Sequence, residues 1–234
     1  DMSRGLGDVY KRQTFMLVIA GLTMIVGVLG AIAQKDIKRI LSFHIVSQIG
    51  YMIMGLGFFT VAGVAAAIVF VVHQIIVKAS LFLVGGLVES SEGTGAIDGV
   101  NGVAKRSPWI AALFLPAALS LAGFPPFSGF VGKLALVEAG LGVGSWVVVG
   151  VSLVASVLTV FSMTKIWGGV FWGKPLDGSP APVARGMAVA TASLVVVGFV
   201  IAIGAQPLVE YAERAAGDLM SEGTYWGVVM GAQQ

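Results

Sequence analysis

No cysteine occurs in the 234 residues, which excludes a disulfide framework and any thiolate metal site. Charge is scarce: 14 Lys and Arg stand against 12 Asp and Glu, 11% of the chain in all. A soluble domain carries roughly a quarter of its residues charged. The net charge of +2, with the basic residues in short clusters, excludes an electrostatic nucleic-acid binder. Only two histidines occur, and there is no P-loop, dinucleotide fingerprint, nucleophile constellation or metal-ligand cluster. The sequence supports no catalysis and calls for no cofactor and no metal.

What the chain has instead is apolar length. Hydrophobic residues make up 57% of it, in continuous runs rather than the alternation of a membrane barrel. The fold class is therefore all-α, a polytopic transmembrane helix bundle. About six spans of the ~20 residues that a crossing helix needs fall at 14–34, 40–59, 61–88, 109–139, 146–172 and 186–204. Their frequent Gly and Ala suit close helix packing in lipid.

The remaining segments divide the chain into three parts. Residues 1–13, DMSRGLGDVYKRQ, are polar and Gly-rich and meet span one without a helix-start signal, so they read as a non-native leader, like a translated cloning scar. Residues 14–205 form the transmembrane domain. The tail, 206–234, carries Glu210, Glu213, Arg214, Asp218 and Glu222 and reads as interfacial or loosely ordered, with a weak signal for a seventh, amphipathic helix.

Loops after spans one, three and five share one side and hold Lys35, Lys38, Arg39, Lys105, Arg106, Lys174 and Arg185. Outside the first 13 residues the other side has Arg214. By the positive-inside rule those three loops are cytoplasmic. In AQKDIKRIL, Asp36 beside Lys35, Lys38 and Arg39 reads as a boundary with local ion pairs.

Two lysines lie where charge is costly. Lys78 stands in IVFVVHQIIVKASLFLVGGL, about 15 Å of helix from the C-terminal end of its span at 1.5 Å per residue. That is too deep for comfortable snorkelling. Gln74 shares its face, whereas His73 lies well round the helix and meets Lys78 only if the helix carries a bulge. Burial and a nearby cation both disfavour an ammonium, so a lysine at this depth can exchange protons, and a histidine titrates in the same range. The bland alternative is a static pair with an unseen carboxylate. Lys133 follows LAGFPPFSGF, where Pro125 and Pro126, flanked by Gly123 and Gly129, split the helix near 123–129. Interrupted membrane helices line cavities and form ion sites; the bland alternative for Lys133, six residues from the end of its span, is simple snorkelling. Glu138 faces the outer interface. Lys165, among Trp167 and Trp172, snorkels to the boundary. His44 and Gln48 share a face of span two and read as packing residues, with a water path as the alternative.

The blocks AQKDIKRILSFHIVSQIGYMIMGLG, HQIIVKASLFLVGG and LAGFPPFSGFVGKL, in this order and spacing, resemble the antiporter-like membrane subunits shared by Mrp-type Na+/H+ antiporters and respiratory complex I. SLVASVLTVFSMTKIWGGVFWGKP is similar to the D-type branch of the Mrp subunits. The resemblance covers residues 14 to about 205. It implies a C-terminal fragment: the second inverted repeat plus the last helix of a 14-helix subunit. Lys78 would be the central relay lysine, Lys133 the terminal lysine of the broken helix, and His73 part of the relay. Gln74 stands where relatives often carry a second histidine. The resemblance further implies partners, namely other membrane subunits of an Mrp-type complex, with H+ and Na+ as transported ions, in a bacterial plasma membrane. The alternatives are a proton-pumping subunit of NADH-quinone oxidoreductase or a membrane hydrogenase, and a non-transporting scaffold.

Overall fold

The computed structural model describes residues 2–175 and 179–221, with side chains from Lys11 onward. Helices α1 (Met2–Ala33), α2 (Ile37–Gly57) and α3 (Val61–Glu92) form an up-down-up start. A short α4 (Val103–Arg106) precedes α5 (Pro108–Ala122) and α6 (Ser128–Gly142). Then come α7 (Trp146–Ile166), which runs into a π-helical turn at Trp167–Phe171, α8 (Arg185–Ile203) and α9 (Ala205–Met220). No strand occurs among the described residues, and Asp36 and Ala96 form an isolated bridge.

Five described helical segments are long and apolar enough to cross a membrane: Lys11–Ala33, Ile37–Gly57, Val61–Glu92, Trp146–Phe171 and Arg185–Ile203. The sixth expected span is the α5–α6 pair, divided where the glycines and prolines place the break. Residues 2–13, which read as a leader in the sequence, continue α1 without interruption. No proline stands between them and the apolar run, and extending an existing helix costs far less than nucleating one.

Local chemistry sets the helix ends. Asp36 caps α2 by accepting Arg39 N at 3.0 Å, and Thr60 caps α3 by accepting Gly63 N at 3.1 Å. The α3 helix stops at Gly93 and α5 at Gly123, both in the left-handed region, where glycine carries no Cβ penalty. Close approach of α1 and α2 depends on Gly50: a Cβ there would lie 2.6 Å from Met24 Cγ and 2.7 Å from Ala20 O. Ser47 Oγ locks the same seam by donating to Met24 O at 2.9 Å.

The apolar core falls into two layers. One joins Ile40, Leu41, Val77, Leu81, Val84, Phe114, Met163 and Ile166 on the side of the cation-bearing loops. The other joins Met24, Met54, Phe58, Phe70, Leu136 and Val148 towards the opposite side. Between them lies a band of buried polar side chains that includes His44, Gln48, His73, Gln74 and Ser120.

The tail forms more structure than its composition promises. Helix α9 docks on α3, with Leu208, Val209, Ala212 and Ala216 packed on Val64, Ala65, Ile68 and Val69. Glu210, Glu213, Arg214 and Asp218 all point outward. For 205–220 the structure shows the amphipathic-helix alternative rather than a loose tail, because an apolar stripe of period 3.6 finds a matching helix face. Glu222 lies outside the described residues.

Gly50→Val fills the α1–α2 seam and should destabilise the protein by about 1–3 kcal/mol through overpacking, read as a lower thermal midpoint in detergent.

Candidate functional site

The broken helix builds the site. Gly123 ends α5 with φ 89°, its N–H donating back to Leu119 O and Ser120 O, and α6 resumes at Ser128. The Ala122 carbonyl, at the C-terminal end of α5, accepts Lys133 Nζ at 3.0 Å. The ammonium thus sits at the negative end of a half-helix. Its stem lies against Gly123, where a Cβ would fall 2.8 Å from Lys133 Cδ. The Nζ also stands 5.3 Å from the ring centroid of Tyr51, within cation–π range. Tyr51 is fixed in turn by donating to Ser152 O at 2.5 Å and accepting from Ser156 Oγ at 2.8 Å.

Lys78 is as deeply buried as Lys133. Its Nζ donates to Leu41 O at 3.4 Å, reaching from α3 to the first turns of α2. Neither lysine forms an ion pair with a carboxylate among the described residues, where the three pairs are Lys35–Asp98, Lys38–Glu89 and Arg106–Glu92. The static-pair alternative for Lys78 therefore finds no partner within the described residues.

His73 does not meet Lys78, as its position round the helix implies in the absence of a bulge. Helix α3 carries no bulge between His73 and Lys78, so the two side chains diverge around the helix as ordinary geometry requires. Instead His73 Nδ1 is hydrogen-bonded to Ser128 Oγ at 2.8 Å, and Ser128 Oγ lies 3.2 Å from Ser120 Oγ. His73 is thereby tied to both halves of the broken helix. Gly129 keeps this junction tight, since a side chain there would collide with the Ser120 carbonyl. The π-helical turn lies in the chain after α7, at Trp167–Phe171.

Gln74 and Gln48 bridge α3 and α2, Nε2 of the first donating to Oε1 of the second at 3.3 Å. His44 Nε2 is hydrogen-bonded to Ser162 Oγ at 2.9 Å. His44 and Gln48 thus make the interhelical hydrogen bonds of the packing reading, and both lie in the polar band. Four of its buried atoms have no protein partner: His44 Nδ1, Gln48 Nε2, His73 Nε2 and Gln74 Oε1. Internal water is what satisfies such groups in proteins. Ser120, Ser128, Tyr51 and the α7 hydroxyls join the site without having stood out in the sequence. Ser152, Ser156, Thr159 and Ser162 did carry a signal, for their spacing puts them on one stripe of an otherwise apolar helix.

The cation-bearing loops meet on one side. Ile37 N donates to Gly95 O at 3.0 Å, Gly102 N to Trp172 O at 3.1 Å and Ala181 N to Ser91 O at 2.9 Å. Lys35 and Lys38 pair with Asp98 and Glu89 rather than with Asp36, because Asp36 is committed to capping α2. Arg39 is exposed. Lys165 does more than snorkel: its Nζ donates to Ile32 O at 2.7 Å and Gln34 O at 2.6 Å, satisfying the end of α1. At the opposite end Glu138 is exposed and lines, with Glu213, a cleft of about 440 Å³ between α3, α6 and α9.

Residues 7–159 match the family described as NADH:quinone oxidoreductase/Mrp antiporter, transmembrane. The chain is 40% identical over 215 residues to the D subunit of the Na(+)/H(+) antiporter of Alkalihalophilus pseudofirmus, covering 91% of this chain and 44% of the relative. In structure it is similar to the Mrp complex from a Dietzia species, with a TM-score of 0.86 and 33% identity over 94% of this chain and 49% of that one. Respiratory complex I from Thermus thermophilus shares the fold, with a TM-score of 0.74 at 23% identity over 91% of this chain and 46% of that one. The chain thus spans about half the length of the proteins it matches.

Ser128→Ala strands the buried Nδ1 of His73 and should cost about 1–3 kcal/mol, seen as a lower thermal midpoint, whereas Ser128→Thr, which keeps the hydroxyl, should cost less.

Proposed function

The chain belongs to the NADH:quinone oxidoreductase/Mrp antiporter transmembrane family, and from that premise we propose that it is the C-terminal part of a cation/proton antiporter subunit. The observation that carries this reading is the pair of buried lysines, each bonded to a backbone carbonyl and neither to a carboxylate among the described residues. A permanent ammonium in such a place is expensive, whereas one that loads and unloads a proton is not committed to the cost.

In this mechanism a proton resides on Lys78 or on Lys133, and repulsion between the two charges disfavours loading both. Transfer runs through Gln74, Gln48 and His73, with water bridging the gaps between side chains. The hydroxyls of Ser128 and Ser120 connect His73 to the two half-helices. Lys133, held at the end of α5, is the terminal group of the path, and the cleft bearing Glu138 and Glu213 is its approach to the outer side. The loops with Lys35, Lys38, Arg39, Lys105, Arg106, Lys174 and Arg185 face the cytoplasm of a bacterial plasma membrane.

Proton movement is coupled to Na+ export by other membrane subunits of an Mrp-type complex. The antiporter relative from Alkalihalophilus and the Mrp complex support this setting over a redox-driven one, since the likeness to complex I, at 23% identity, speaks to the fold alone.

Lys133→Ala, in the full-length subunit within its assembled complex, should abolish Na+-driven ΔpH exchange in inverted vesicles while expression stays normal. Unchanged exchange would remove Lys133 from the path.

A further inference from the structure

A lysine ammonium carries three N–H groups, and Lys133 makes one protein hydrogen bond, to Ala122 O at 3.0 Å. The ion pairs among the described residues involve Lys35, Lys38 and Arg106 instead. What the fold sets over the amine is a ring: Nζ stands 5.3 Å from the centroid of Tyr51.

Four helices hold that contact in place. Tyr51, on α2, is 2% exposed. Its hydroxyl is fixed by α7, donating to Ser152 O at 2.5 Å and accepting from Ser156 Oγ at 2.8 Å. Phe70 of α3 packs beside the ring, the centroids 5.4 Å apart. Phe70 is braced in turn by α6, where a Cβ on Gly132 would lie 3.0 Å from Phe70 Cδ2. On the lysine side, the stem rests against Gly123, whose Cβ would fall 2.8 Å from Lys133 Cδ. The amine is thus confined between a carbonyl and a ring face.

Both of those groups present negative charge to it. The ring face attracts an ammonium and has no comparable pull on a free amine, so the contact distinguishes the loaded from the unloaded lysine. A carboxylate in the same place would attract more strongly, but it would be left bare and buried each time the proton departed. A neutral ring carries no such penalty.

We infer that Tyr51 is the positioning residue of Lys133: its ring face stands in for a counter-ion and holds the loaded amine against the Ala122 carbonyl. The α7 contacts of its hydroxyl serve to hold the ring. The inference rests on the proposed transport role of Lys133 and adds what keeps the loaded group in place.

The test weakens the negative face while keeping the ring. Full-length subunits with phenylalanine, or with mono-, di- or trifluorophenylalanine, replacing Tyr51 are assembled into the complex. Na+-driven ΔpH exchange is then measured in inverted vesicles beside Tyr51→Leu and Lys133→Ala. Exchange should fall stepwise with the number of fluorines, at least roughly tenfold from Y51F to the trifluoro ring, the scale of a desolvated cation–π contact. Y51L, which has no ring face, should lose as much or more. If Y51F fails to assemble or to exchange, fluorotyrosine and difluorotyrosine, which keep the hydroxyl, should show the same grading and decide the question. Equal exchange across the series, or one equal drop at every fluorinated ring, would leave Tyr51 a packing residue and overturn the inference. In that event loss of exchange in K133A would leave the proposed function standing. Full exchange in K133A would overturn both.

Discussion

Everything in the membrane interior of this protein depends on one interrupted helix. Gly123 stops α5 inside the bundle, and the carbonyl of Ala122 is left facing inward instead of feeding a next turn. In lipid such a group must find a donor, and Lys133 is that donor. The arrangement solves two problems together. A carbonyl without an intrahelical partner gains an ammonium, and an ammonium at depth gains the negative end of a helix. Ser128 and Ser120, on the two sides of the break, then recruit His73.

The two apolar layers give that polar band its meaning. Protein interiors that are dry on both sides hold polar groups only where those groups satisfy one another or bind water. Here the band runs from His44 on α2 through Gln48, Gln74 and His73 to the broken helix, and several of its atoms lack a protein partner. Such a band is costly as architecture, and its unpartnered atoms are places for internal water. Rigid seams such as the one at Gly50 hold the helices around it in register.

Much of the fold was legible because membrane helices are written in local sequence. Apolar length gave the spans, and the break was visible in Gly123, Pro125, Pro126 and Gly129, residues whose backbone effects do not depend on neighbours. The site was only partly legible. Lys78 and Lys133 announced themselves by charge, but for His73 the sequence offered only a conditional contact with Lys78 through a bulge, whereas its partner, Ser128, is 55 residues away. Serines are common in membrane helices, so Ser120 carried no distinctive signal before α5 and α6 were brought against α3. The amphipathic α9 was weakly signalled because its apolar stripe is made largely of alanine.

The sequence alone determined that the chain is a helical membrane protein, where its apolar spans lie and one of them breaks, which side gathers the cations and which two lysines are out of place. These follow from hydropathy, caps and charge, each a property of a few adjacent residues. Only the tertiary structure decided that both lysines rest on backbone carbonyls, that His73 serves the broken helix, and that His44 is tied to Ser162 on α7. Those pairings join helices far apart in the chain. They are fixed by how small residues let the helices close on one another, a consequence of shape that no local pattern records.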